Sequence, residues 1–523
     1  MSDDKRFYLT TPIYYVNDSP HIGHAYTTLA CDALARFMRL DGYDVFFLTG
    51  TDEHGQKVEK SAQAAGIDPQ VFTDRVSENF RELAKAMNFS NDAFIRTTEP
   101  RHARASQAIW QALMDNGHIY LGSYSGWYAV RDEAFYDESE LTEDEEGIKR
   151  APSGAEAEWV EEPSYFFDLS KWQDRLLAFY DANPDFIAPP SRRNEVVSFV
   201  KGGLKDLSVS RTSFKWGVPV PGDADHIMYV WLDALTNYAT AIDYPDKDSH
   251  AFSSYWPCDL HMVGKDILRF HAVYWPAFLM GAGIDPPKRV FAHGWWTNEG
   301  QKISKSIGNI IDPFDVVERY GLDQLRYFLL REVPFGNDGD FSHRAMVNRI
   351  NGDLANDLGN LVQRVTSMIH RYFDGTMPVH EGGHRDPDGE LLDAASGLLE
   401  TCRDRMRAQA FHEALDAVWS VIRQANAYVD RQAPWASIKE DRIRTAAVLA
   451  TLVQTIRRVA IVLQPFMPDS AGRILDQLAA DPERRTFANL GSADNVPVGT
   501  ALPKPTPVFP RLQEEKAAGE ASA

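Results

Sequence analysis

RFYLTTPIYYVNDSPHIGHAYTTLACDALARFMRLDGYDVFFLTG, residues 6–50, sets strand, turn, helix and strand in one run. RFYLTTPIYY is short, apolar and rich in aromatic residues, as a buried strand running into a turn should be. Asp18-Ser19-Pro20 reads as a helix start: a capping side chain, then proline at the first helical position, where its missing N–H costs nothing. The predicted helix continues through Thr27–Leu40 and stops at Asp41-Gly42. YDVFFLTG is a second buried strand, followed by the polar turn TDEHGQK. Strand, helix, strand is a βαβ unit of a parallel sheet, and its ligand site lies at the carboxyl ends of the strands. His21 and His24 fall at one such end, Asp52 and His54 at another.

Three readings of His21 and His24 stay open on this stretch alone. A metal site would want a third ligand, and the zincin pattern spaces its histidines four apart around a glutamate, whereas here they are three apart around Ile and Gly. Two polar side chains can simply cap a helix. A helix N-terminus also presents free N–H groups and a positive dipole end to phosphate, and imidazoles at i and i+3 share the face that would meet it. Gly23, without a Cβ, would let a base or sugar approach the backbone.

Bulk properties narrow the class. With 523 residues, several domains are expected, and 44% hydrophobic with 25% charged residues is a globular composition. No stretch of eighteen apolar residues suggests a membrane span, and MSDDKRFYLTTPIYY lacks the marks of a signal peptide. Three scattered cysteines, Cys31, Cys258 and Cys402, exclude a disulfide framework or a cysteine-rich zinc site and fit a reducing, cytoplasmic compartment. A net charge of −21 argues against a generally basic nucleic-acid surface but leaves room for a local one.

From about Asn116 to Asp225 aromatic and polar residues alternate, as in YLGSYSGWYAVRDEAFYDESEL, suggesting an insertion of short antiparallel strands. The α/β pattern resumes in DLHMVGKDILRFHAVYWPAFLMGAG and RVFAHGWWTN. After about Gly339, four runs with apolar residues at three–four spacing predict a helical bundle. The proline-rich, then polar, end predicts a disordered tail at 513–523. In NEGQKISKSIGN, Lys302 and Lys305 lie in a loop between Gly300 and Gly308; lysine is a mobile point charge able to follow phosphate, and the glycines would let the loop close.

The pairing of His-Ile-Gly-His after the first strand with Lys-Ile-Ser-Lys-Ser far downstream resembles the signature pair of class I aminoacyl-tRNA synthetases, differing from Lys-Met-Ser-Lys-Ser by one residue. TTPIYYVNDSPHIGH, TGTDEHG, YVWLDALTNY, GKDILRFHAVYWPAFL and APW at 433–435 resemble the methionyl branch, and the likeness runs to about Leu512. It implies a Rossmann-like parallel-sheet catalytic domain with an inserted connective-peptide domain and an α-helical anticodon-binding bundle. The expected divisions are 1–115 and 226–295 for the two catalytic halves, 116–225 for the insertion, 296–342 for the Lys-Ile-Ser-Lys-Ser loop and stem contact, and 343–512 for the bundle.

The resemblance also implies roles. His21, His24, Lys302 and Lys305 would be catalytic, and ATP would lie over His21, Gly23 and His24. Lys265, Asp266, His293, Gly294 and Trp295 would surround adenosine, and Lys302, Ser304 and Lys305 would close over the triphosphate. Methionine would sit among Ile13, Tyr15, Trp231, Ala234, Leu235, Tyr238, His271, Tyr274 and Trp275, its ammonium on Asp52. Asn360, Arg364, Pro434 and Trp435 would meet the anticodon of tRNA(Met), a local contact set compatible with an acidic protein. Mg²⁺ would accompany ATP. Many relatives carry a zinc knuckle in the insertion; here its first cysteine pair reads Ala129 and Asp132 and its second region RAPSGAE, so no structural zinc is expected and packing through Trp127, Tyr128, Phe135 and Tyr136 should replace it. No further domain follows the bundle, which favours a monomer. Another class I synthetase, or a nucleotidyltransferase sharing the histidine motif, are the competing readings.

Overall fold

The computed structural model describes residues 5–16, 19–132, 134–144, 146–303, 308–379 and 386–513. The tail read as disordered, from 514 on, lies outside them. The chain divides into two compact units. One comprises Arg6–Cys31 and Val45–His293; the other includes Asp32–Asp44 and the chain from Gly294 onward.

The first unit is built on a mainly parallel sheet. Its strands are β1 (Arg6–Thr10), β2 (Tyr14–Tyr15), β3 (Asp44–Asp52), β4 (Ala93–Arg96), β5 (Ile187–Ala188), β6 (Leu260–Gly264) and β7 (Val290–His293). The order is β5-β7-β6-β1-β3-β2, with β4 paired to β3. Parallel register sets Leu9 beside Leu260, Tyr15 beside Asp52 and Gly264 beside His293, so three strand ends carrying sequence-predicted site residues lie along one edge. Helices α1 (Ile22–Leu40), α2 (Pro100–Asp115) and α3 (Val230–Thr240) follow the strands. The core beneath them is apolar and aromatic, with Tyr8, Trp110, Trp172 and Trp275 all fully buried.

Two local expectations change. The helix after β1 begins at Ile22, not at Pro20, with His21 just before it. The local cue of Ser-Pro loses to a better cap, described below. Within 116–225, the short β5 belongs to the parallel sheet: Ile187 and Ala188 pair with Val290 and Phe291. Two helices, Gln173–Ala182 and Pro190–Lys201, also fall in that run and were not expected. The antiparallel pairing expected is found between Ile119–Ala129 and both Glu158–Phe167 and Ala134–Tyr136. At the knuckle positions, Ala129 packs with Ala151, Ala155 and Ala157 under Trp127, Tyr136 and Leu141. Asp132 accepts hydrogen bonds from the Tyr136 hydroxyl at 3.0 Å and from the Ser153 hydroxyl. Tyr128 packs on Phe135 at 4.7 Å, and the Arg211 guanidinium lies over both rings. Among the described residues no cluster of three or more His, Cys, Asp or Glu could hold a metal.

The second unit is dominated by helices α4 (Asn360–Phe373), α5 (Asp386–Arg407), α6 (Phe411–Gln432) and α7 (Arg442–Leu463), which pack on one another. Helix α7 is long and apolar enough to cross a membrane, but nearly all of it is buried inside the protein. Its apolar surface is therefore satisfied by protein packing. At its start Arg444 forks onto Asp388 with bonds of 2.6 and 2.7 Å, and the Tyr428 hydroxyl donates to the same carboxylate. This ties α5, α6 and α7 together at one end.

Candidate functional site

The N-terminus of α1 is closed by its own two histidines. The backbone N–H of Gly23 donates to His21 Nδ1 at 3.0 Å, and the backbone N–H of His21 donates to His24 Nδ1 at 3.1 Å. This is the reciprocal logic of a capping box, with imidazoles in place of hydroxyl and carboxylate. A Cβ at residue 23 would stand 2.9 Å from the His21 ring, so glycine there makes room for the cap. Both Nδ1 atoms accept, so each neutral ring carries its proton on Nε2. The rings stack at 3.9 Å, with Tyr14 and Phe80 against His24. Burial lowers both histidines below the usual imidazole range; His24 falls further because it is more deeply buried, with His21 beside it adding to the effect. The result is a pair of neutral imidazoles, each with an Nε2–H left over.

One turn on, Thr27 Oγ1 lies 2.7 Å from Nε2 of His293, at the end of β7, and Tyr26 meets the same ring edge-on. Thr27 also donates to the Gly23 carbonyl at 3.2 Å. Lys265 and Asp266 follow directly on β6, in a short turn beside the β7 end. His21, Gly23, His24, Lys265, Asp266 and His293 thus gather at one edge of the sheet. Gly294 and Trp295 belong to the second unit, where the Trp295 N–H donates to Asp338 and its side chain is 42% exposed. Lys302 pairs with Thr297 in a two-stranded ladder. Ser304 and Lys305 lie outside the described residues.

A second cluster surrounds α3. Trp231, Ala234, Leu235 and Tyr238 span about 100° of that helix and form one stripe. Trp231 stacks flat on Phe270 at 3.7 Å and meets His271 edge-on. His271 Nδ1 donates to the Ile267 carbonyl at 2.9 Å, so its Nε2 accepts the Tyr238 hydroxyl proton at 2.7 Å. Burial holds His271 down at about 4 and pushes the Tyr238 hydroxyl well above its usual range, so the pair is neutral. Trp275 is fully buried and meets Tyr238 at 6.2 Å; Tyr274 packs on Phe270. Ile13 and Tyr15 are partly buried, and Lys57 lies 5.5 Å over the Tyr15 ring. Asp52 is buried, registered to Tyr15, and its carbonyl accepts from Val16.

In the helical unit, Asn360 is exposed at the start of α4. One turn on, the Arg364 guanidinium lies 5.4 Å over the Trp435 ring and pairs with Asp430 at 2.9 Å. Pro434 is buried, while Trp435 is 44% exposed. Phe270, Thr27 and Phe80 were not among the residues singled out from sequence. Nothing local marks them, since each acquires its place through contacts far along the chain.

The family model "tRNA synthetases class I (M)" matches residues 7–366, and "Anticodon binding domain of methionyl tRNA ligase" matches 379–522. The methionine–tRNA ligase of Mesorhizobium japonicum is 57% identical over 98% of this chain and 99% of its own. That of Rickettsia felis is 57% identical over 97% of this chain and 98% of its own. The Mycobacterium tuberculosis methionyl-tRNA synthetase in complex with methionyl-adenylate superposes with a TM-score of 0.94, at 54% identity, over 97% of this chain and 100% of that one. Its apo form gives 0.89, at 51% identity, over 98% and 99%. The chain belongs to the methionine–tRNA ligases, the methionyl branch of the class I tRNA synthetases.

Proposed function

We propose that the sheet edge around His21 and His24 is the adenylation site, that the α3 stripe selects methionine, and that the Arg364–Trp435 pair reads the anticodon. The chain is an ATP-dependent methionine–tRNA ligase: it activates methionine to methionyl-adenylate with release of pyrophosphate, then moves methionine to the 3′ end of tRNA(Met), releasing AMP. Activation is in-line attack of the methionine carboxylate on the α-phosphorus. It needs no covalent enzyme intermediate, so the protein contributes positioning and stabilisation of phosphate charge.

The observation that carries the site reading is the cap. Because both Nδ1 atoms are occupied by backbone N–H groups, His21 and His24 keep Nε2–H as their free donors. Neutral donors at a helix N-terminus suit a phosphate whose charge builds in the transition state. Lys265, Asp266, His293, Gly294 and Trp295 surround adenosine, and Lys302, Ser304 and Lys305 close over the phosphates. Mg²⁺ travels with ATP, held mainly by phosphate and water. Methionine lies among Ile13, Tyr15, Trp231, Ala234, Leu235, Tyr238, His271, Tyr274 and Trp275, and its ammonium pairs with Asp52. The neutral Tyr238–His271 pair and the Trp231–Phe270 stack are apt for a soft, uncharged thioether.

The same reading divides the chain at 115, 225, 295, 342 and 512, takes the protein as a cytoplasmic monomer, and gives the insertion no structural zinc. The alanine cluster and the Asp132 hydrogen bonds support the last point. Amino-acid-dependent exchange of pyrophosphate into ATP, run across all twenty amino acids, tests the whole reading. Methionine alone should drive it, and Lys305→Ala should slow it far more than it weakens methionine binding. Exchange unchanged by Lys305→Ala refutes the role of the loop.

A further inference from the structure

Asp233 sits on α3 at the side opposite the methionine stripe. It lies about 200° around the helix from Trp231 and about 140° from Tyr238. Its carboxylate is fully buried, and both oxygens are occupied by histidines from separate segments. His54 Nδ1 lies 2.6 Å from Oδ2, and His102 Nε2 lies 2.6 Å from Oδ1. His54 follows Asp52 by two residues at the end of β3, and His102 is in the first turn of α2. His102 Nδ1 is 3.1 Å from Thr240 Oγ1, which lies on the same face of α3 as Asp233. One carboxylate therefore joins the pocket helix to both the Asp52 strand end and a neighbouring helix.

The residue between Asp52 and His54 is held as firmly. Glu53 is fully buried, and Arg96 forks onto it at 2.7 and 2.9 Å while Thr51 and Thr98 donate to it. Trp216 Nε1 donates to the Glu53 carbonyl at 2.6 Å, and the Trp216 ring stands edge-on to His54. Burial alone would raise the Asp233 carboxyl; His54 and His102 hold it well below the usual carboxylate range. A buried acid with two imidazoles costs desolvation that a well-packed apolar side chain would avoid, so stability alone is a weak reason for it. What the array supplies is orientation: hydrogen bonds to both oxygens fix the rotation of α3 and its distance from β3, where apolar packing would tolerate a slide.

We propose that His54, Asp233 and His102 are positioning residues for methionine selection, holding the Trp231–Tyr238 stripe in register with Asp52. This rests on the reading of that stripe and Asp52 as the methionine site. The test is pyrophosphate exchange by full-length Asp233→Asn and His102→Gln, with folding checked by circular dichroism and Tm. With α3 free to shift, KM for methionine should rise about tenfold or more in Asp233→Asn and less in His102→Gln, while KM for ATP stays within about twofold. A fall in Tm with methionine KM unchanged makes the array structural and overturns the proposal; so does a parallel rise in both KM values. Should Asp233→Asn not fold, His102→Gln, which spares the carboxylate, decides. Asp52→Asn and Trp231→Ala serve as reference. If these two leave methionine KM unchanged, the pocket reading itself fails; if they raise it and the array variants do not, the positioning proposal fails alone.

Discussion

His24 accepts the backbone N–H of His21 on Nδ1 at 3.1 Å, and His21 in turn accepts that of Gly23 at 3.0 Å. Helix capping and phosphate binding are therefore not rival explanations of these histidines. Each ring uses one nitrogen for the helix and leaves the other for the proposed phosphate contact, and the cap fixes the tautomer that makes the remaining nitrogen a donor.

The two uses separate on substitution. Asparagine is among the best N-cap residues, so His21→Asn should keep the cap and lose the outer donor. Denaturant unfolding should then show a change below about 1 kcal/mol, while the exchange rate falls about 10²-fold, as for loss of one preorganised donor. His21→Ala should lose the rate and also about 1 kcal/mol of stability. Equal rate losses with no stability difference between the two would mean that His21 does not cap α1 in solution.

The capping pair also shows what a linear reading can and cannot reach. The βαβ unit and the helical bundle were legible because each rests on local periodicity and turn chemistry; the site segments were named only through the resemblance their motifs carry. The start of α1 was misplaced by two residues because Ser19-Pro20 is a good local signal, while His21 wins through a reciprocal bond to the next turn. The two-residue strand β5 is too short to carry a pattern and is defined by its pairing with Val290 and Phe291. Asp233, His54 and His102 were invisible as a set, since 179 and 131 residues separate the acid from its two partners. Phe270 was passed over for the same reason: its flat stack on Trp231 is a tertiary fact.

Acid should weaken the fold through His271. Its folded-state value is lowered by burial to about 4, so as pH falls the unfolded chain takes up a proton first. That contribution to stability is full above about pH 6.5, falls between 6.5 and 4, and is flat below; its size is about 3 kcal/mol. His24 and His261 are displaced in the same direction by burial and add to the slope. Urea unfolding of the chain and of His271→Gln at pH 7 and 4.5 checks this. The variant should begin less stable and lose roughly 2–3 kcal/mol less over that interval. Identical slopes would show that His271 is protonated in the folded state.

The insertion should not depend on metal. Ala129, Ala151, Ala155 and Ala157 form a small buried cluster in the insertion, packed against Trp127, Tyr136 and Leu141. Purified protein should contain well below one zinc per chain, and a strong zinc chelator should leave Tm unchanged. Ala155→Leu should instead overpack the cluster at a cost of about 1–3 kcal/mol. Stoichiometric zinc, or a chelator-sensitive Tm, would contradict the packing account.

The proposed anticodon contact turns on geometry more than charge. Arg364 lies 5.4 Å over the Trp435 ring, with Asp430 at 2.9 Å on its guanidinium, so the plane of the arginine is set before any base arrives. Trp435 is 44% exposed, and a stacked base would cover it. Loss of one base–aromatic stack is worth about 1–3 kcal/mol, so Trp435→Ala should weaken tRNA(Met) binding by about 5- to 150-fold and leave pyrophosphate exchange intact. Arg364→Lys keeps the charge but gives up the flat, forked group, and should move the same way. Because the two side chains stack on each other, the double variant should cost less than the two singles added. Filter binding and charging assays on the four proteins decide it. Exchange falling in step with charging points to a folding defect, and full additivity means that the arginine and the tryptophan act on separate parts of the tRNA.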